Sequence, residues 1–200
     1  MPLTRDETRG SGLAVAIDLV NTCDELEPEP DLIEGPEDVR TWLEWHGLSA
    51  AAKRVGEADV ARVRALRARF DRVFDASGED AAASLLNELA REFGTPPVLE
   101  RAGDGWRLRS WPDESDGLSA VAAYATAGLL DAFQELGWPR FGRCAGAPCR
   151  CAYVDRSRNR SRRYCCTLCA DRVAQAQYRA RRREASRPER AGAGRGGKRS

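Results

Sequence analysis

The strongest constraint on the fold lies between Arg143 and Arg183, where six of the seven cysteines are crowded into a stretch dense in arginine. Cys144 and Cys149 form a short-range pair with four residues between them, and Cys165 with Cys169 forms another about fifteen residues later. Two such pairs across a spacer suit a tetrahedral Zn2+ site, because each can close a turn that delivers two thiolates to one ion. Cys166 can replace Cys165 through a tighter CxxC turn, and Cys151 can replace Cys149. His46 is the only histidine and lies in a different region, so an all-thiolate site is expected. Four thiolates close the coordination sphere and leave no position for water, which predicts one structural Zn2+ and no catalytic metal. The competing reading is free thiols or disulfides. Residues 1 to 12 are polar and charged, and the apolar run after them carries Asp18, so no secretory leader is expected. A reducing cytoplasm is therefore the expected location, and stable disulfides are rare there.

Charge divides the chain in the same place. From Arg140 onward there are 18 Arg and Lys against 4 Asp and Glu, and before it 14 against 27, which together give the net +1. Such asymmetry predicts a polyanionic partner for the basic end. A chain of 200 residues has room for one medium domain and a small satellite. No run approaches the ~20 apolar residues of a membrane span, so no membrane association is expected. Residues 1–12 read as a disordered N-terminus, 13–139 as a helical domain, 140–186 as the cysteine module and 187–200 as a disordered basic tail.

Within 13–139, Leu13 to Thr22 is a short apolar run that leaves helix and strand open. Asp18 and Asn21 are expected to turn or cap the backbone, ahead of forming a polar pocket. Pro36, Glu37 and Asp38 mark a helix start, with Val39, Trp42 and Leu43 on one face and Gly47 as the stop. His46 is expected at the edge of this helix, partly buried. Glu57 to Phe74 is strongly amphipathic through Val60, Val63, Phe70 and Phe74, and the arginines between them are expected to pair with the domain's acids. Ala81 to Phe93 and Ser119 to Leu136 read as further helices. Val98 to Arg101 and Trp106 to Trp111 flank Gly103 and Gly105 as a small β-hairpin. The domain shows no phosphate loop and no nucleophile elbow, so no catalytic site is expected. A ligand site, if present, is expected among Asn21, Trp42 and the hairpin tryptophans.

Two patterns in this order resemble known families. Asp155, Ser157, Arg162, Arg163, Tyr164 and Cys165 follow the run of the CGNR zinc finger, a treble-clef-like module of bacterial transcription regulators. Cys169, Ala170, Asp171 and Arg172 stand where that family has its naming tetrapeptide, so its first and last members are kept. Upstream, Asp18 to Thr22 followed by Pro36, Trp42, Leu43, Gly47 and Leu48 resembles the ABATE domain of stress-induced regulators. The resemblance implies a DNA-binding regulator whose N-terminal domain has no firmly assigned ligand.

The fold class expected is mainly α: a helical N-terminal domain with one β-hairpin, then a treble-clef-like zinc finger. Cys169 should open a helix reaching Glu184, with Arg172, Gln175, Arg179 and Arg183 on one stripe and Val173, Ala176 and Ala180 turned to the metal module. Such a stripe fits a DNA major groove, while Arg158, Arg160, Arg162, Arg163 and Arg182 can meet phosphates or bases. Partners expected are DNA and, for the N-terminal domain, a small-molecule effector or a second copy in a homodimer. Two other readings stay open: a protein- or RNA-binding adaptor, and a thiol enzyme using Cys151 or Cys166, for which no general base is evident.

Overall fold

In the computed structural model, residues 10–23, 26, 31–94, 98–109 and 117–185 are described. Trp111, the tail 187–200 and residues 1–9 of the expected frayed terminus lie outside them.

The run left open between helix and strand is a helix, α1 (Gly12–Val20), capped by Ser11, whose Oγ accepts from the Ala14 N–H at 3.2 Å. All nine of its residues are buried, so its sequence carries no 3.6-residue alternation to read. It crosses α6 (Leu118–Leu136) at two glycines. A Cβ on Gly12 would lie 2.1 Å from the Tyr124 carbonyl oxygen, and one on Gly128 2.0 Å from the Leu13 nitrogen. Only a residue without a side chain permits that approach.

α2 (Pro36–Trp45) begins as predicted, with Pro36 at its first position and Asp38 accepting from the backbone N–H groups of Glu34 and Gly35 at 2.9 and 2.8 Å. A single turn, α3 (Ser49–Ala52), follows. α4 (Glu57–Phe74) has the predicted bounds and buries Val60, Val63, Leu66, Phe70, Val73 and Phe74. Four of its five arginines are seen to pair as expected: Arg62 with Asp59, Arg64 and Arg67 with Asp31, and Arg69 with Glu92. Arg67 grips both Asp31 oxygens, at 2.6 and 2.7 Å, and this fork holds the Asp31 carboxyl below its usual range. α5 (Glu79–Phe93) turns Leu86 and Leu89 inward, whereas Leu85 is only partly buried against the core. β1 (Val98–Ala102) and β2 (Gly105–Arg109) pair antiparallel around Gly103 and Asp104; Gly103, at φ +59°, supplies the positive dihedral that a two-residue hairpin turn needs at its first position.

His46 is not an edge residue. It is 5% exposed, its Nε2 lies 3.2 Å from Asp18 Oδ2, and its ring meets Trp42 edge-on. The partner sits on a different helix 28 positions away, beyond the reach of local patterning.

After a 3-10 turn (Trp138–Arg140), β3 (Phe141–Arg143) and β4 (Ala152–Val154) form a second antiparallel hairpin, with Phe141 opposite Val154 and Arg143 opposite Ala152. Phe141, Ala152 and Val154 belong to the same apolar core as α1, α4 and α6. Burial of a side chain such as Phe141 or Val154 stabilises by up to about 1.5–3 kcal/mol, and the Ala152 methyl by about 0.8 kcal/mol. Tyr153 and Val154 are adjacent on β4. Alternate residues of a strand face opposite ways, so Val154 packs into the helical body and only Tyr153 turns to the module, donating to the Arg162 carbonyl at 2.8 Å. The last element among the described residues is α7 (Thr167–Ala185).

Candidate metal centre and basic helix

Cys144 follows β3 directly, Cys149 and Cys151 lie on the loop back to β4, Cys165 precedes α7, and Cys169 is in its first turn. The fold brings the Sγ atoms of Cys144, Cys149, Cys165 and Cys169 within 4.8 Å of one another. Cys165 Sγ is 3.7 Å from both Cys149 Sγ and Cys169 Sγ. Zn–S bonds of about 2.3 Å in a tetrahedron imply sulfur separations of about 3.8 Å, so these four residues fit that ion. Cys166 Sγ is 3.8 Å from Cys165 Sγ, and Cys151 is buried against the same cluster. Both alternative ligands are therefore neighbours, while the four-sulfur group is the one that converges.

Without a cation three of these four thiols resist ionisation. Burial pushes the Cys169 thiol up to about 12, reinforced by the neighbouring Cys165 sulfur. Burial likewise raises Cys149, and contact with Cys151 followed by burial raises Cys165. Cys144 differs: burial pushes it up, but N–H groups of Cys165 and Gly146, aided by the adjacent thiols, more than offset that and leave it below the usual thiol range. Backbone donors aimed at sulfur favour the thiolate, and a divalent ion would reverse the penalty on the other three. When bound, Zn2+ would supply cross-linking here.

The loop between β4 and α7 shows what the Asp155 to Cys165 run does. Asp155 is buried and accepts from the Ser157 and Arg162 N–H groups at 2.8 and 3.0 Å. Burial raises the Asp155 carboxyl, but those donors and Arg140 outweigh it and hold it below its usual range. Ser157 Oγ accepts from the Ser161 N–H at 3.3 Å. Arg162 lies over the Tyr153 ring at 5.1 Å and donates to the carbonyls of Tyr164, at 3.1 Å, and of Cys165.

Two of the nine residues expected at DNA are engaged within the finger itself. Arg162 is folded onto its own loop. Arg172 donates to the carbonyls of Gly146 and, at 3.2 Å, Ala147, and its guanidinium is 3.8 Å from Cys169 Sγ. Both guanidiniums brace the metal loops. Arg158, Arg160, Arg163, Gln175, Arg179, Arg182 and Arg183 are all exposed. Among its described side chains α7 packs through Cys169, Ala170, Arg172 and Val173, and every residue from 174 to 184 is exposed. Ala176 and Ala180, expected against the module, face solvent because the module ends one turn earlier. The helix therefore overhangs by roughly 16 Å at 1.5 Å per residue.

The described ligand-site residues expected in the body, Asn21, Trp42 and Trp106, occupy three different settings. Asn21 is engaged with the module: its Nδ2 donates to the Ala152 carbonyl at 3.0 Å, and the Ala152 N–H donates back to Asn21 Oδ1 at 2.7 Å. Trp42 is buried, and Trp106 is exposed with Arg101 over its ring. Arg143 adds a second tie from the module to the body, reaching Asp71 at 2.7 Å and Asp75 at 2.9 Å. No helix among the described residues is long and apolar enough to cross a membrane.

Fold and site define a mainly α-helical protein that ends in a zinc-finger-type cysteine centre. The chain belongs to the ABATE family, described as "Putative stress-induced transcription regulator", whose model matches residues 13–132, and the CGNR zinc finger model matches residues 140–182. Both are regulatory or metal-binding types, not enzymatic ones. A comparison with curated proteins returned no match.

Proposed function

We propose that the protein is a zinc-dependent transcription regulator that binds duplex DNA through α7 and the loop before it, acting in the cytoplasm. One structural Zn2+ is held by Cys144, Cys149, Cys165 and Cys169 and fixes the start of α7 against the β3–β4 hairpin. The helical body, residues 13–139, carries the regulatory input, a small-molecule effector or a second copy of the chain, and residues 140–186 form the finger. The observation that carries this reading is the overhang of α7, which leaves Gln175, Arg179, Arg182 and Arg183 in solvent beside the exposed loop arginines. A helix fits the ~12 Å major groove, where arginine pairs with guanine and glutamine with adenine, and arginines outside the groove neutralise phosphates.

The test is binding of zinc-loaded protein to random duplex DNA, followed by sequencing of the bound fraction and a salt titration, with single-stranded RNA as the competing ligand. A selected duplex with a steep salt dependence is expected. Preference for the RNA, or no nucleic-acid binding, would favour an adaptor role instead. On the selected site, Arg179→Ala should lose ~1–3 kcal/mol if it meets a base, or about one unit of salt slope if it meets a phosphate.

A further inference from the structure

Leu168, in the first turn of α7, is 74% exposed, the most exposed large apolar side chain among the described residues. It is followed on the same helix by Gln175, Arg179 and Arg182, at i+7, i+11 and i+14. At 100° per residue these four fall within about 40° of one line along the helix. The stripe expected from sequence began at Arg172, but that guanidinium is turned back onto the Gly146 and Ala147 carbonyls. Leu168 takes its place at the inner end of the line. An apolar side chain that leads an otherwise polar stripe gains nothing from the fold, because its neighbours Thr167 and Asp171 are exposed as well. Tyr178, the other exposed large apolar residue of α7, lies under Arg182 at 6.0 Å and flanks the stripe.

Resting on the DNA-binding reading above, we infer that Leu168 is a specificity-determining residue, packing on the C5 methyl group of thymine in the major groove. The groove displays one apolar group, that methyl, among hydrogen-bonding edges, so a lone leucine among Gln and Arg has one natural counterpart there. The occupant is DNA on grounds of charge. Arg158, Arg160, Arg163, Arg179, Arg181 and Arg183 are exposed on this loop and helix, against Asp171 and Glu184. A polyanion is favoured over an apolar protein partner by that balance. Asp171, at the edge of the line, can accept from a cytosine amine.

The experiment uses the full-length, zinc-loaded chain and the duplex selected from random DNA, with each thymine replaced in turn by deoxyuridine, which lacks only the methyl group. For the unsubstituted protein, one position should weaken binding about fourfold, the factor expected for one buried methyl-sized group. Leu168→Ala keeps an exposed, helix-favouring residue and should abolish that ratio while leaving the zinc content and the salt slope unchanged. Absence of any methyl-sensitive position, or an unchanged ratio in Leu168→Ala, overturns the inference and leaves DNA binding intact. Failure of the unsubstituted protein to bind any duplex overturns the proposed function and this inference with it.

Discussion

In the helical body the interior is made by Leu19, Leu43, Phe70 and Leu129, each removed from water. In the finger the corresponding interior is the sulfurs of Cys144, Cys149, Cys151 and Cys169, with Tyr164 and two further thiols packed at the rim. Two arginines of the finger are used in a further way: Arg162 and Arg172 donate to backbone carbonyls of their own module, whereas Arg67 and Arg69 of the body are held by the carboxylates of Asp31 and Glu92. The contrast teaches how a short module compensates for its size. About forty residues bury little apolar surface alone, so on the proposed zinc reading coordination replaces burial, while cationic side chains satisfy carbonyls of the loops. The two regions nevertheless share Phe141, Ala152 and Val154, which lie in the body's core.

If the finger stands on its ion, Cys169→Ser should have the largest effect. Bound zinc should fall from one per chain to none by metal analysis, DNA binding should be lost, and most of the helical circular dichroism should persist. The converse substitution, Phe70→Ala, should cost the body about 3–5 kcal/mol in denaturant unfolding, with zinc still bound below the transition. Asn21→Ala tests the joint. It leaves the Ala152 N–H and carbonyl without their buried partners, at about 1–3 kcal/mol each, and should split one thermal transition into two. A single transition with unchanged midpoint would show that the regions are not coupled there. Acidification should give the smallest signal. Asp31 and Asp155 are held below their usual range, so their stabilisation is present above the unfolded value of about 3.8 and is lost as pH falls through the lower folded value. The Asp31 share should be under about 1 kcal/mol for a partly exposed pair. Zinc, whose ligands must stay deprotonated, should leave before that point, so metal release and body unfolding should appear as separate acid steps.

Elements with solvent on one side were legible from local sequence. α4 shows apolar residues at helical spacing between Gly56 and Asp75, and its bounds were read to the residue. α1 is buried all round and offered no such contrast. The four converging cysteines were legible because ligand spacing is local within each pair. The roles of Arg162 and Arg172 were not. Each has the same chemistry as the exposed arginines beside it, and the Gly146 carbonyl that Arg172 meets is 26 positions away. The β3–β4 hairpin was missed for a similar reason: its strands are three residues long, and their pairing is enforced by the body they pack on.

The Asn21 clasp has one more consequence. Its amide presents a donor and an acceptor to Ala152 as a neighbouring peptide would, so a single side chain stands in for a third strand beside β4. A two-stranded ribbon with an open rim is a template for adding strands from other molecules, and here the Ala152 position of that rim is taken from within. The residue that joins the two halves thereby also occupies a place on the edge where a further strand could add.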